Sequence, residues 1–256
     1  MTISQTSADN GAEGRAFRLV SYNIRRCHGL FRLYCPRRLA DALRETGADA
    51  IALQEVDTGL FCDGRNQLEW LARELGMVPV EGFCRPARSG GRYGNALLLL
   101  RPPLSFRCHD LSVAGREPRC ALEAALDLDG ARLTLIVTHF GLRLFERREQ
   151  ARMLAAIIRA AEGPLALAGD FNEWRRRPSP DALDEIFARG AGPATPGPAA
   201  AAPPAAPATY PSLRPLLRLD RIRVRPAPLL VSVCAHQSCA ARLASDHLPL
   251  VAELRL

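Results

Sequence analysis

LALAGDFNEW, residues 165–174, is an apolar run that stops abruptly at Gly169. An acid and an amide follow, Asp170 and Asn172, separated by Phe171. Asp and Asn are ordinary turn residues, because their short side chains bond to nearby backbone. The stretch therefore reads either as a buried strand that ends or as a strand that delivers a carboxylate to a reaction. Its flanks place it between helices. FERREQARMLAAIIRAA (145–161) is the longest helical pattern in the chain, apolar on one side and basic on the other, and PDALDEIFARG (180–190) is a shorter one. LDRIRVRPA, PLLVSVC and HLPLVAELRL then close the chain as strands.

Upstream the same alternation holds. FRLVSYNI (17–24) reads as a strand, and RRLADALRETG (37–47) as a helix stopped by Gly. ADAIALQEV (48–56) is apolar enough to be a strand buried on both faces, and NQLEWLARELG (66–76) is a second Gly-ended helix. GNALLLL, LSFRCHDLSV, RCALEAALDL and ARLTLIVTHF follow with turn signals between them, which predicts an antiparallel meander. Two packed sheets with helices outside satisfy every apolar face in this series. The polar residues 1–15 read as a loose tail. GAGPATPGPAAAAPPAAPA (190–208) is too low in complexity to fix itself. The residues after it read as strands without helices, too few for a core of their own, so a surface loop within one domain over 16–256 is expected.

With 48% hydrophobic and 24% charged residues, the 256-residue chain has the makings of a soluble globular core. No apolar run reaches the ~18 residues of a membrane helix, and the polar start does not resemble a secretory signal. A cytoplasmic monomer is the expectation. The net charge of +7 favours an anionic partner. All 34 basic residues are arginine, however, which points to genomic base composition before site chemistry. Eight cysteines occur singly, with no C-x-x-C pair, as befits free thiols. Cys234, His236 and Cys239 imitate half of a zinc site and lack the second half.

Polar residues that a core does not need recur at strand ends. They are Asn23 in SYNI, Glu55 in LQEVD, His139 in VTHFG, Asp170 and Asn172 in GDFN, Asp220 in RLDRI, and Asp246 and His247 in SDHLP. One such residue is usually a cap or a turn; brought to one sheet edge, the set becomes carboxylates, amides and imidazoles together. It cannot perform serine acyl transfer: Ser245, Asp246 and His247 are adjacent, so their side chains diverge, and no G-x-S-x-G elbow occurs. A chain without lysine has no Walker loop, and GAGPATPG lacks the dinucleotide-binding spacing. Hard oxygen ligands such as Glu55, with Asn and Asp, suit Mg²⁺ or Mn²⁺. Imidazoles beside a hard cation suit hydrolysis of a phosphate ester, where positive charge balances the phosphoryl oxygens and a base activates water.

SYNI, LQEVD, GNALL, THFGL, GDFN, LDRI and SDHLPL occur in the order and at roughly the separations of the endonuclease/exonuclease/phosphatase family, which residues 16–256 resemble. That superfamily includes DNase I-like nucleases, abasic-site endonucleases, neutral sphingomyelinases and inositol polyphosphate 5-phosphatases. The resemblance implies a four-layer α/β/β/α sandwich and a divalent-metal site. By it, Glu55 is the principal Mg²⁺ ligand with Asn23 close by, and Asp246 lies at the metal or at a second metal position. Asp170 positions or deprotonates water, Asn172 holds a phosphate oxygen, and His247, oriented by Asp220, contacts the phosphoryl group. His139 takes the place of the second phosphate-binding imidazole. Either Asp170 or the His247–Asp220 pair serves as base. Tyr93, Asn95 and Arg119 fall on strands that border the site in relatives, as substrate-facing candidates.

Family likeness fixes the bond class and leaves the substrate open. Arg25, Arg26 and Arg175 to Arg177 follow the SYN and DFN motifs directly and would suit a nucleic acid. The chain lacks an aromatic insertion for flipping bases and the extended arm of the abasic-site enzymes. A lipid headgroup or small phosphodiester is therefore expected ahead of duplex DNA, with Trp174 beside its arginines suited to a headgroup interface. A non-catalytic phosphate-binding module would have lost some metal or water-activating positions, and none is missing.

Overall fold

The computed structural model describes residues 16–174, 182–189 and 206–256. The tail at 1–15, most of the Pro/Ala segment and Arg175 to Arg177 lie outside them.

The opening stretch forms a strand, β10 (Leu165–Asp170), with all six residues buried. Successive side chains of a strand point to opposite faces. Leu165 and Leu167 accordingly enter one apolar cluster, and Ala166 and Ala168 enter another. β10 lies between β9 (Ala131–His139), which runs parallel to it, and β11 (Asp220–Arg225), which runs antiparallel. β8 (Cys120–Leu128) and β7 (Ser105–Asp110) complete this sheet in the order β11-β10-β9-β8-β7.

The second sheet has the order β12-β13-β1-β2-β6-β5. Its strands are β1 (Ala16–Asn23), β2 (Ala50–Asp57), β5 (Val78–Pro86), β6 (Arg92–Leu99), β12 (Leu230–Ala235) and β13 (Leu250–Arg255). β3 (Phe61–Cys62) and β4 (Arg65–Asn66) form a small hairpin beyond β2. Only β1–β2 and β9–β10 pair in parallel; the other pairings described in both sheets are antiparallel.

Three apolar layers hold four layers of structure together. Leu19, Leu97, Leu122 and Leu135 meet between the sheets. Helices α1 (Pro36–Arg44), α2 (Gln67–Leu75) and α5 (Cys239–Ala244) cover the outer face of the six-stranded sheet through Leu39, Leu43, Trp70 and Ala241. Helices α3 (Leu144–Ala160) and α4 (Ala182–Arg189) cover the other sheet through Leu154, Ile158 and Leu183. This is the α/β/β/α sandwich that the sequence implies. The helix ends follow local chemistry: the Asn66 side chain caps α2 by accepting from Glu69 N at 3.0 Å, and Gly76 ends it at φ 65°.

Three expectations are corrected. The meander is split, because β6 pairs with β2 and β5 while β7, β8 and β9 belong to the facing sheet. Pro102 and Pro103 lie between β6 and β7 and lack the N–H that a continuing ladder needs. β5 carries no strand pattern in the sequence because Pro79 and Gly82 interrupt its apolar run, which an edge strand tolerates. The C-terminal part is not strands alone: α5 forms after Ser238, whose hydroxyl accepts from Ala241 N at 3.1 Å.

Candidate active site

Strand register lines up three site residues before any side chain is considered. Asp170 on β10 is opposite His139 on β9 and opposite Asp220 on β11. β1 ends at Asn23 in the facing sheet, and the Asn23 amide crosses the sandwich: Nδ2 donates to Asp170 Oδ2 and to Glu55 Oε1, both at 3.0 Å. The Arg25 backbone N–H donates to Asn23 Oδ1 at 3.0 Å, and the Ser245 hydroxyl donates to the Asn23 carbonyl at 2.7 Å. Asn23 therefore has one orientation, with its two donors aimed at two carboxylates.

The backbone is bent to aim two of these groups. The register of β2 slips between Leu53 and Val56, and Glu55 sits there at φ 59°. The left-handed region costs a non-glycine residue roughly 1–2 kcal/mol, and such strain gathers at functional sites. The slip leaves Glu55 half-buried among buried neighbours. Asn172, at φ 49°, is a residue type that tolerates this region. Its backbone N–H donates to Asp170 Oδ1 at 2.8 Å, and its Nδ2 donates to the Phe140 carbonyl at 2.8 Å.

His247 stands across from Asp170. Its Nδ1 is 2.8 Å from Asp220 Oδ2, and its Nε2 is 3.8 Å from Asp170 Oδ2. Thr209 Oγ1 donates to the same Asp220 oxygen at 2.5 Å, and the Tyr210 ring lies 5.0 Å from the imidazole, itself meeting the Trp174 ring edge-on at 5.4 Å. Burial opposes charge on His247, but the Asp220 carboxylate, followed by Asp170 and Asp246, raises its pKa to about 10. Burial likewise raises Asp170, to about 6, against the pull of the His247 charge. At neutral pH the pair is a carboxylate facing an imidazolium.

His139 is the opposite case. Burial, the Arg119 guanidinium and His247 together hold its pKa well below the ordinary value. Arg119 Nη1 donates to Nδ1 at 3.0 Å. A guanidinium only donates, so Nδ1 accepts and the proton of the neutral ring falls on Nε2, 3.5 Å from Asp170 Oδ2; the Asn172 Nδ2 donor, 3.1 Å from Nε2, then touches this nitrogen without a hydrogen bond to it.

Asn23, Glu55, His139, Asp170, Asn172, Asp220 and His247 thus converge. Asp246 sits beside them, its Oδ2 3.3 Å from Arg25 Nε. The three substrate-facing candidates have partners within the protein. The buried Tyr93 ring lies between the guanidinium groups of Arg26 and Arg85, at 5.0 and 4.0 Å. Asn95 Nδ2 donates to the Cys120 carbonyl at 3.0 Å, and Arg119 serves His139. Thr209, Tyr210, Ser245 and Arg25 carry site contacts that no spacing rule singles out; the segment TYPSL ahead of LDRI was the available signal. His236, from the imitation zinc half-site, instead places Nε2 2.8 Å from Glu45.

Asp170, Asp220 and His247 hold candidate ligand atoms within 4.8 Å of one another, all buried, but the protonated His247 ring has no lone pair to offer a metal. Glu55 and Asp170 also converge, on the Asn23 amide, and Glu55 keeps solvent access. Two carboxylates gathered around a single hydrogen-bond donor are a fitting seat for a hard divalent cation, which takes oxygen ligands.

Residues 20–247 match the profile of the Endonuclease/Exonuclease/phosphatase family. The uncharacterised protein YbhP of Escherichia coli K12 is 31% identical over 260 residues, covering 94% of this chain and 97% of YbhP. The endonuclease/exonuclease/phosphatase of Bacteroides vulgatus superposes with a TM-score of 0.71 at 20% identity, over 94% of this chain and 99% of that one. A mannosyl-6-phosphatase of Bacteroides thetaiotaomicron gives 0.70 at 17% identity, over 94% and 100%. Proteins of this kind are hydrolases of phosphoester bonds. No described helix is long and apolar enough to cross a membrane.

Proposed function

This chain belongs to the endonuclease/exonuclease/phosphatase family, and on that premise we propose that it is a Mg²⁺- or Mn²⁺-dependent phosphodiesterase acting on a lipid headgroup or small phosphodiester. The observation that carries this reading is the position of Asp170, whose Oδ2 lies 3.0 Å from Asn23 Nδ2, 3.5 Å from His139 Nε2 and 3.8 Å from His247 Nε2. Glu55, with Asn23 beside it and Asp246 adjacent, would hold the cation. When bound, such an ion neutralises phosphoryl charge and makes water a better nucleophile.

The protein groups divide the remaining work. Asp170, at about 6, is ionised at neutral pH and remains basic enough to take a proton from water. The Asp220 carboxylate raises His247 to about 10, which favours its protonated form and leaves the role of base to Asp170. It acts as the cation that meets the phosphoryl oxygens, held in place by Asp220. His139 Nε2–H and the Asn172 amide donate to the same oxygens. One chain supplies every one of these groups, consistent with a monomeric enzyme.

Purified protein with Mg²⁺ or Mn²⁺ is to be assayed on a chromogenic bis-phosphodiester, on plasmid and abasic DNA, and on phospholipid vesicles. The diester is cleaved, EDTA stops the reaction and added metal restores it. Glu55→Gln raises the metal requirement, and Asp170→Asn is the blank. Turnover that survives EDTA, or that Asp170→Asn leaves intact, overturns the assignment. Cleavage confined to DNA, falling steeply with salt, moves the substrate to nucleic acid.

A further inference from the structure

Three segments at the catalytic end of the sandwich repeat one pattern. They are FRL (31–33) between β1 and α1, LRLF (142–145) spanning the end of the β9–α3 loop and the first two residues of α3, and LRPLLR (213–218) ahead of β11. Each sets arginine among large apolar side chains, and those side chains stand in solvent. Phe31 is 75% exposed, Leu33 64%, Leu142 63%, Phe145 53%, Leu213 57% and Leu216 62%. Arg32, Arg143, Arg214 and Arg218 are exposed beside them, and among the described residues none of their guanidinium groups is paired with a carboxylate.

The loops are held open. The His28–Tyr34 bridge closes the first and the Tyr210–Leu217 bridge the third; Arg147 Nη1 donates to the Leu142 carbonyl at 2.7 Å and ties down the second. The tips are therefore presented to solvent instead of collapsing onto the core. Single exposed leucines are common; six large apolar side chains on three segments around one site are not a scattered set. A merely solvated rim would mix both signs of charge, yet residues 24–40, 140–145 and 206–219 contain no Asp or Glu.

We propose that this end of the protein docks on an anionic phospholipid bilayer. The apolar tips enter the boundary between headgroups and acyl chains, and the unpaired arginines meet lipid phosphates. Aliphatic tips favour lipid over a nucleic acid strand: four of the six are leucine, whereas single strands are gripped by stacking on aromatic rings. Docking brings a phosphoester in the membrane plane to Asp170 and His247. The substrate part of this inference rests on the phosphodiesterase reading; the docking does not.

The intact chain is to be sedimented with phosphatidylcholine vesicles, with and without phosphatidylglycerol. It binds the anionic vesicles, less so as salt rises. Leu213→Ser/Leu216→Ser combined with Phe31→Ser/Leu33→Ser lowers apparent affinity at least ~10-fold. Cleavage of the soluble diester is unchanged in these variants, whose altered side chains are exposed. Protein that stays in the supernatant with both vesicles, or variants that bind like the parent, overturns the proposal. So does tighter binding to a single-stranded oligonucleotide that the same substitutions abolish. Vesicle binding without soluble diesterase activity overturns the hydrolase reading alone; diesterase activity without vesicle binding overturns docking alone.

Discussion

Asp220 has one carboxylate oxygen shared by Thr209 and His247 and another, Oδ1, that is buried with no hydrogen-bond partner among the described residues. Its charge is tolerated because the adjacent imidazole is protonated. His247→Ala is expected to cost ~10²–10⁴ in turnover, and Asp220→Asn to move the alkaline limb of the pH–rate profile to lower pH, because it removes the charge that holds His247 up. Stability should follow the same group. The folded pKa of His247, about 10, exceeds its ordinary 6.5. Its contribution is therefore complete below about 6.5 and lost as pH rises through about 10. Asp170 is raised from 3.8 to about 6, so what its protonated form contributes is gone before this window opens. Melting temperature in EDTA should fall between neutral pH and pH ~10, and His247→Gln should flatten that fall. These partners were legible as residue types, since an acid, an amide and an imidazole at strand ends have few roles in a core. The direction of each donor was not. Nothing in SYNI says that Asn23 spends both N–H groups on carboxylates from two different strands, or that Arg119 in EPRCA donates to His139.

Along β10 the glycine matters as much as the acid that follows it. A Cβ on Gly169 would stand 2.0 Å from the Thr138 carbonyl oxygen, on the neighbouring strand beside His139. Only glycine allows β9 and β10 to close up where Asp170 and His139 come level. Gly169→Ala is expected to destabilise the fold by about 1–3 kcal/mol, the usual cost of overpacking, read from urea unfolding, and to lower diesterase turnover by shifting both side chains. The strand itself was visible in the sequence as an apolar run, as were its neighbours: β9 by its apolar stretch LIVTH and β11 by the alternation of Ile222 and Val224 with arginine. β5 was not, since Pro79 and Gly82 break the pattern that identifies a strand. α5 was not, being six residues long, too short for helical periodicity to declare itself.

Across the whole molecule, the seam between the two sheets holds the site together. Asn23 and Glu55 belong to one sheet, and Asp170, Asp220 and His139 to the other. Leu97 is fully buried in that seam. Leu97→Ala is expected to cost about 2–5 kcal/mol, measured by denaturant unfolding at constant slope. The amino-acid sequence by itself determined the layer architecture, because uninterrupted apolar strands need cover on both faces and amphipathic helices supply it. It also determined which polar residues had no place in a core. Only the tertiary structure decided how β1, β2, β9, β10 and β11 bring those residues to one end, since parallel register and the crossing of chains between sheets depend on contacts far apart in sequence. The same folding decided that FRL, LRLF and LRPLLR, unremarkable where they stand in the chain, surround a single site. Periodicity reports which face of an element is apolar; it carries no information about which loops become neighbours.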